Sequence, residues 1–182
     1  MIEIRWHGRG GQGSFTASRI LGAAASLYGN KYSLAFPSFG PERRGAPITA
    51  FTKIDDTKIR DRSEIKHCDY IVVLDETLFT PSFFQDLKPG GRILINTAWG
   101  ERYKEISQDL IVTFDAEAIA QEILGKPVTN TAMIGALLGI SEIIPIEAGA
   151  EGINNEFSPI LAEKNIRVLK KAYEMIKGGG YA

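Results

Sequence analysis

The residues best suited to chemistry lie near the start of the chain, in His7-Gly8-Arg9-Gly10-Gly11-Gln12-Gly13, where four glycines fall within six residues. Glycine lacks a Cβ, so the backbone can turn sharply there and lie close to a ligand. A short apolar strand is expected over residues 2–6 and a helix over 14–28, with Ser14 or Gly13 as its cap. Strand, glycine turn and helix form the layout in which backbone N–H groups at a helix start face an anion. The bland alternative is a tight turn that only packs helix on sheet.

Such a turn commonly binds a dinucleotide, and a nicotinamide site also wants an acid at the end of the second strand to hold the ribose. That strand, expected over 32–36, ends Leu34-Ala35-Phe36-Pro37, without one. No Asp or Glu occurs from Ile4 through Pro41, whereas Arg5, Arg9, Arg19 and Lys31 all do. This local balance argues against NAD and for an anionic ligand, most simply a phosphate or diphosphate. Gln12 either orients a polar group with its amide or caps the turn. His7 sits at the expected strand end, where such sheets meet ligands, although a lone histidine is more often structural.

A second stretch is more unusual: Phe36-Pro37-Ser38-Phe39-Gly40-Pro41-Glu42-Arg43-Arg44-Gly45-Ala46-Pro47. Three prolines and two glycines exclude regular structure, and a long irregular loop in a compact domain is usually functional. Arg43 and Arg44 suit carboxylate or phosphate recognition in a fixed fork. Phe36 and Phe39 are costly to leave in water, so the loop is either covered by a partner or folded onto the sheet. The plain alternative is a surface pair between Glu42 and one arginine.

The elements that position these residues are read from periodicity. Residues 48–55 alternate as a strand, with 58–60 as a candidate hairpin return. Residues 70–74, 92–96 and 110–114 read as buried strands, with a short helix over 81–87 and a turn at Pro89-Gly90-Gly91. Asp75, Asn96 and Asp115 each end a strand, where they either meet a ligand or cap the next helix. A helix from Asp115 runs through Leu124. The helix over 131–144 is apolar almost all round, which favours burial against something. Ser158 and Pro159 open a last helix with Leu161, Leu169, Ala172 and Ile176 as its buried stripe. Alternating strands and helices give an α/β class: a three-layer α/β/α sandwich with a mainly parallel central sheet, a Rossmann-like start and one domain over 1–182.

Composition narrows the function. The 182 residues carry a net charge of −1, which supplies no field for nucleic acid or acidic membrane. The single cysteine, Cys68, excludes an internal disulfide and a self-held iron–sulfur cluster, and reads as a small buried residue. No metal-ligand spacing and no hydrolase serine motif occur. The first residues read as strand rather than signal peptide, and the apolar stretches are short of a membrane span, so a cytoplasmic setting is expected.

The two motifs together resemble those of the gamma subunit of pyruvate:ferredoxin oxidoreductase (pyruvate synthase), within the 2-oxoacid:ferredoxin oxidoreductase family. The resemblance continues through Val73-Leu74-Asp75, Asn96-Thr97 and Asn130-Thr131-Ala132-Met133-Ile134-Gly135, and so covers nearly the whole chain. The phenylalanine-and-proline form of the second motif looks more like the pyruvate branch. The resemblance implies a complex that decarboxylates pyruvate on thiamine diphosphate with Mg2+. Electrons then pass through iron–sulfur clusters to ferredoxin and the acetyl group to coenzyme A, or the reverse. It implies alpha, beta and delta (ferredoxin-like) partner subunits that bear those cofactors. This chain is then inactive alone, with no catalytic residue or metal of its own, and helps form the coenzyme A side of the active site. The contact candidates are Gly8, Arg9, Gly10, Gly11, Gln12, Gly13, Ser38, Arg43 and Arg44. Two alternatives remain: a stand-alone nucleotide- or phosphate-binding module, and a purely structural assembly subunit. A homodimer of the isolated chain is also compatible.

Overall fold

The glycine turn leaves the end of a central strand. The computed structural model describes residues 1–38, 44–106 and 109–179. β1 (Ile2–Arg9) is flanked by β3 (Pro47–Asp55) and β4 (Cys68–Val73), and β2 (Tyr32–Pro37), β5 (Leu87–Asn96) and β6 (Ile111–Phe114) complete a six-stranded sheet in the order β2-β3-β1-β4-β5-β6. β3 runs antiparallel to both neighbours, while β1, β4, β5 and β6 are mutually parallel. The expected α/β class with helices on both sides of a mainly parallel sheet holds.

One face is covered by α1 (Ser14–Ala23, continued by a π turn over Ala24–Tyr28), α3 (Ala116–Leu124), α4 (Asn130–Ser141), α5 (Ile146–Glu156) and α6 (Pro159–Lys177). The other face is thinner. It is covered by α2 (Glu101–Lys104), 3-10 turns at Glu76–Leu78 and Pro81–Asp86, and the segment around Ile65. Strand alternation sorts β1 accordingly: Ile4 and Trp6 enter the helical core, and Arg5 and His7 face the thin layer.

The all-round apolar helix is α4, and its burial is satisfied inside the chain. Gly135 lets it approach α6 so closely that a Cβ there would lie 2.2 Å from the Leu169 carbonyl oxygen, and Gly139 packs on Ile176. The burial expected from its pattern is thus met within the chain, by the sheet and the neighbouring helices.

Several local expectations are corrected. β1 extends through His7 and Gly8 to Arg9, because β3 pairs with it along that whole length. Residues 58–60 form no strand. Pro89-Gly90-Gly91 lies within β5, where pairing with β4 shifts register between Cys68 and Tyr70. Leu161 is 52% exposed, while Leu169, Ala172 and Ile176 are buried as expected. No helix of the described residues is long and apolar enough to cross a membrane.

Candidate functional site

α1 starts at Gly13, which takes the left-handed conformation (φ 82) with no side-chain cap and no acid in the first turn. Among the described residues no side chain caps the first N–H groups of the helix, which carry its positive dipole end. A Cβ at Gly13 would also lie 2.7 Å from the Asn130 amide nitrogen, because the start of α4 packs against the turn.

β1 leads through α1 to one side of the sheet and β4 lies on the other. The crevice between their ends is thus where open α/β sheets bind ligands. Here that crevice is sewn shut. Asp75 at the end of β4 accepts from Arg9 Nε and from Gln12 Nε2, both at 3.0 Å. Gln12 Oε1 accepts from the Arg9 backbone N–H at 2.7 Å, and Arg9 also donates to Thr77 and to the Gly45 carbonyl. Burial pushes the Asp75 carboxyl up, but the hydrogen bonds from Thr77 and Gln12 and the Arg9 charge outweigh it and hold it below the usual carboxylate range.

The other cations of the acid-free stretch are spent in the same way. Arg5 pairs with Asp86, Arg19 with Glu156 and Lys31 with Asp56. The positive balance read from residues 4–41 is a feature of the sequence that the fold neutralises.

Among the described residues, the two larger cavities beside the closed crevice differ in charge. One of about 640 Å3 lies over the ends of β4, β5 and β6, lined by Asp75, Glu76, Asp115 and Glu117 with Trp99. It repels an anion. The other, of about 540 Å3, is lined by Gly11, Gln12, Gly13 and Thr16 of the turn and α1, by Asn130 of α4, and by Lys126 and Lys164. Neither lysine has an ion pair among the described residues. Two helix starts and two such lysines give this cavity a positive lining. Neither lysine is among the candidates read from the sequence, because no local motif marks them.

The expected site residues divide. Gly11, Gln12 and Gly13 line the basic cavity, and Arg9, Gly11 and Gly13 also line a smaller one of about 230 Å3 beside Ser14 and Thr16. Gly8 packs against Ser14. Gly10 is absorbed by backbone pairing, its N–H donating to the Ala46 carbonyl and its carbonyl accepting from Gly45 N–H. Arg44 is bridged to Gly10 through its backbone and is exposed. Ser38 lies elsewhere, in a cavity on the thin face, where its hydroxyl donates to Glu64. Arg43 and Phe39 fall outside the described residues. Phe36 folds onto the sheet, its ring 5.1 Å from that of Phe51.

Two of the remaining candidates are structural. Asp115 caps α3 through the Ala118 N–H, and Asn96 links the Leu74 carbonyl to the Ala116 N–H. His7 is mid-strand rather than at the sheet edge. Burial, and then the Arg5 charge, depress it from 6.5 to about 3. Cys68 is buried, its thiol pushed up to about 11 chiefly by burial. Among the described residues no group of three or more His, Cys, Asp or Glu is placed to hold a metal.

Fold and turn together define an α/β chain whose glycine turn, at the start of α1, borders a lysine-lined cavity. The chain belongs to the pyruvate ferredoxin/flavodoxin oxidoreductase family, whose profile matches residues 3–175. It is 46% identical over 181 residues to the pyruvate/ketoisovalerate oxidoreductases common subunit gamma of Thermococcus litoralis, covering 96% of each chain. The crystal structure of the pyruvate oxidoreductase subunit PORC of Thermotoga maritima superposes with a TM-score of 0.81 at 37% identity, covering 95% of each chain. The fold recurs in the 2-oxoglutarate:ferredoxin oxidoreductase of Magnetococcus marinus, solved with 2-oxoglutarate, coenzyme A and succinyl-CoA bound. There the TM-score is 0.79 at 17% identity, over 98% of this chain and 31% of that one.

Proposed function

We propose that this chain, as one domain over 1–182, is the gamma subunit of a cytoplasmic pyruvate:ferredoxin oxidoreductase. The complex converts pyruvate, coenzyme A and oxidised ferredoxin to acetyl-CoA, CO2 and reduced ferredoxin, or runs in reverse. Alpha, beta and delta subunits carry the thiamine diphosphate, Mg2+ and iron–sulfur clusters. The lone, buried Cys68 fits that division, since one shielded thiol cannot ligate a cluster. The chain completes the complex and is inactive alone. A relative named as common to pyruvate and ketoisovalerate enzymes supports placing the choice of 2-oxoacid on other subunits.

This subunit contacts coenzyme A at the basic cavity. The observation that carries the assignment is the convergence of the uncapped start of α1 at Gly13 with Lys126 and Lys164. Gly8, Arg9 and Gly10 shape the turn, and Arg43 and Arg44 are the remaining contact candidates. The sewn-shut crevice disfavours a stand-alone mononucleotide-binding module.

The test uses the assembled complex. With Lys126→Ala plus Lys164→Ala, the KM for coenzyme A rises about ten-fold or more, as expected for lost charge-assisted contacts, while the KM for pyruvate holds. Arg43→Ala plus Arg44→Ala tests the loop in the same way. An unchanged KM for coenzyme A in both variants, with assembly intact, overturns the assignment and leaves a purely structural subunit.

A further inference from the structure

A separate cavity, on the thin face of the sheet, takes no part in the coenzyme A assignment. Alternation along β1 turns Arg5 and His7 toward that face, and pairing with β3 sets Phe51 beside Arg5 and Thr49 beside His7. The segment from Glu64 to His67 and the turn ending at Asp86 complete a cavity of about 520 Å3. Phe83 forms part of its support: the His7 ring lies 4.5 Å from it, and the Arg5 guanidinium sits over it at 5.4 Å.

Arg5 gives one terminal nitrogen to Asp86, but its Nε is buried with no hydrogen-bond partner. His7 Nε2 is buried and without a partner as well. Among the described residues these are the only buried side-chain nitrogen or oxygen atoms in that condition, and both residues line this one cavity. An unmet buried polar group costs about 1–3 kcal/mol, so two in one place call for a partner.

We propose that this cavity binds a carboxylate group. Arg5 Nε is an obligate donor, and neutral His7 supplies a second when Nε2 carries its proton. Same-face residues two apart on a strand lie about 6.6 Å apart at Cα, close enough for both side chains to serve one ligand. Ser38 and Thr49 add hydroxyls, and Lys66 adds positive charge at the rim. Asp86 and Glu64 also line the cavity, each already engaged, by Arg5 and by Ser38 respectively. A singly charged carboxylate tolerates them better than a doubly charged phosphate does. The carboxylate belongs either to a free small acid or to a partner subunit, and the chemistry is the same.

The test tracks the His7 ring by NMR in the full chain labelled at histidine, titrated with sodium acetate, with pyruvate and with sodium chloride as control. A saturable shift with the carboxylates and not with chloride is expected. It is accompanied by a rise of the His7 pKa from about 3, because the new anion offsets burial and the Arg5 charge. The charged and titratable groups facing His7 are Arg5, Asp86, Glu64, Lys66 and His67, so the pKa comparison is made at fixed salt. Arg5→Met weakens binding about ten-fold or more. If that variant does not fold, Thr49→Val serves, with a smaller loss. Equal binding in the isolated chain and the assembled complex assigns the site to a free acid. Binding in the chain that assembly blocks assigns it to a partner carboxylate. No saturable shift, an equal response to chloride, or full binding by a folded Arg5→Met variant overturns the proposal and leaves the coenzyme A assignment untouched.

Discussion

Arg9 Nε donates to Asp75 Oδ2 at 3.0 Å across 66 residues of sequence, and this bond ties the glycine turn after β1 to the end of β4. The same oxygen accepts from Gln12, so one carboxylate sets the turn's shape. Its pKa in the fold is below the usual value of 3.8. The stabilisation is therefore present above that value and is lost as pH falls through the lower, folded one. Asp75→Asn should lower the urea midpoint at pH 7 and narrow the gap to wild type at pH 3. In the assembled complex it should also raise the KM for coenzyme A, since Gln12 and Gly13 line the basic cavity.

His7 gives a second pH dependence with a different window. Its value falls from 6.5 unfolded to about 3 folded, mainly through burial. The neutral ring's contribution is complete above pH 6.5 and is lost as pH drops below it. Between pH 6.5 and pH 5 the loss is about 2 kcal/mol. Denaturant melts at pH 7 and pH 5 should show it, and His7→Phe, which keeps the stack on Phe83, should flatten the difference.

Gly135→Ala tests the α4–α6 contact. The added methyl would meet the Leu169 carbonyl oxygen at 2.2 Å, which the backbone can relieve only by moving a helix. A loss of about 3 kcal/mol in urea unfolding is expected. Gly178→Ala, at the end of α6 with no positive φ, should change stability by less than about 0.5 kcal/mol.

Lys53 is only 1% exposed, and its ammonium meets Asp61 at 2.5 Å and Glu3 at 3.7 Å. Asp61 thereby straps residues 56–67 over the thin face. Asp61→Asn leaves a buried cation short of a partner. Limited proteolysis should cut within 56–67 several-fold faster. Adding Lys53→Met should restore part of the resistance, because it removes the uncompensated charge while keeping the stem.

The strands from 70 to 114 were legible because continuous apolar runs at that length have few other uses, and the glycine turn because its composition tolerates little else. Asp115 announced itself as a cap by preceding a helical pattern. The extension of β1 through His7 and Gly8 was not legible. It depends on β3 lying alongside, a partner 40 or so residues away that supplies the missing hydrogen bonds. Leu161 fits an apolar stripe by spacing and still faces outward, because the stripe's edge projects past the end of α4 packing into the wall of the basic cavity.

The sequence by itself determined the α/β class, the family and the place of the glycine turn, because these rest on local spacing and on motifs contiguous in the chain. Only the tertiary structure decided which charges remain available. Arg5, Arg9, Arg19 and Lys31 lie in an acid-free stretch, yet each finds a carboxylate 25 to 137 residues away. Lys126 and Lys164 come from distant segments to the start of α1. Coulomb pairing depends on distance in space, and spacing along the chain records that distance only within a few residues.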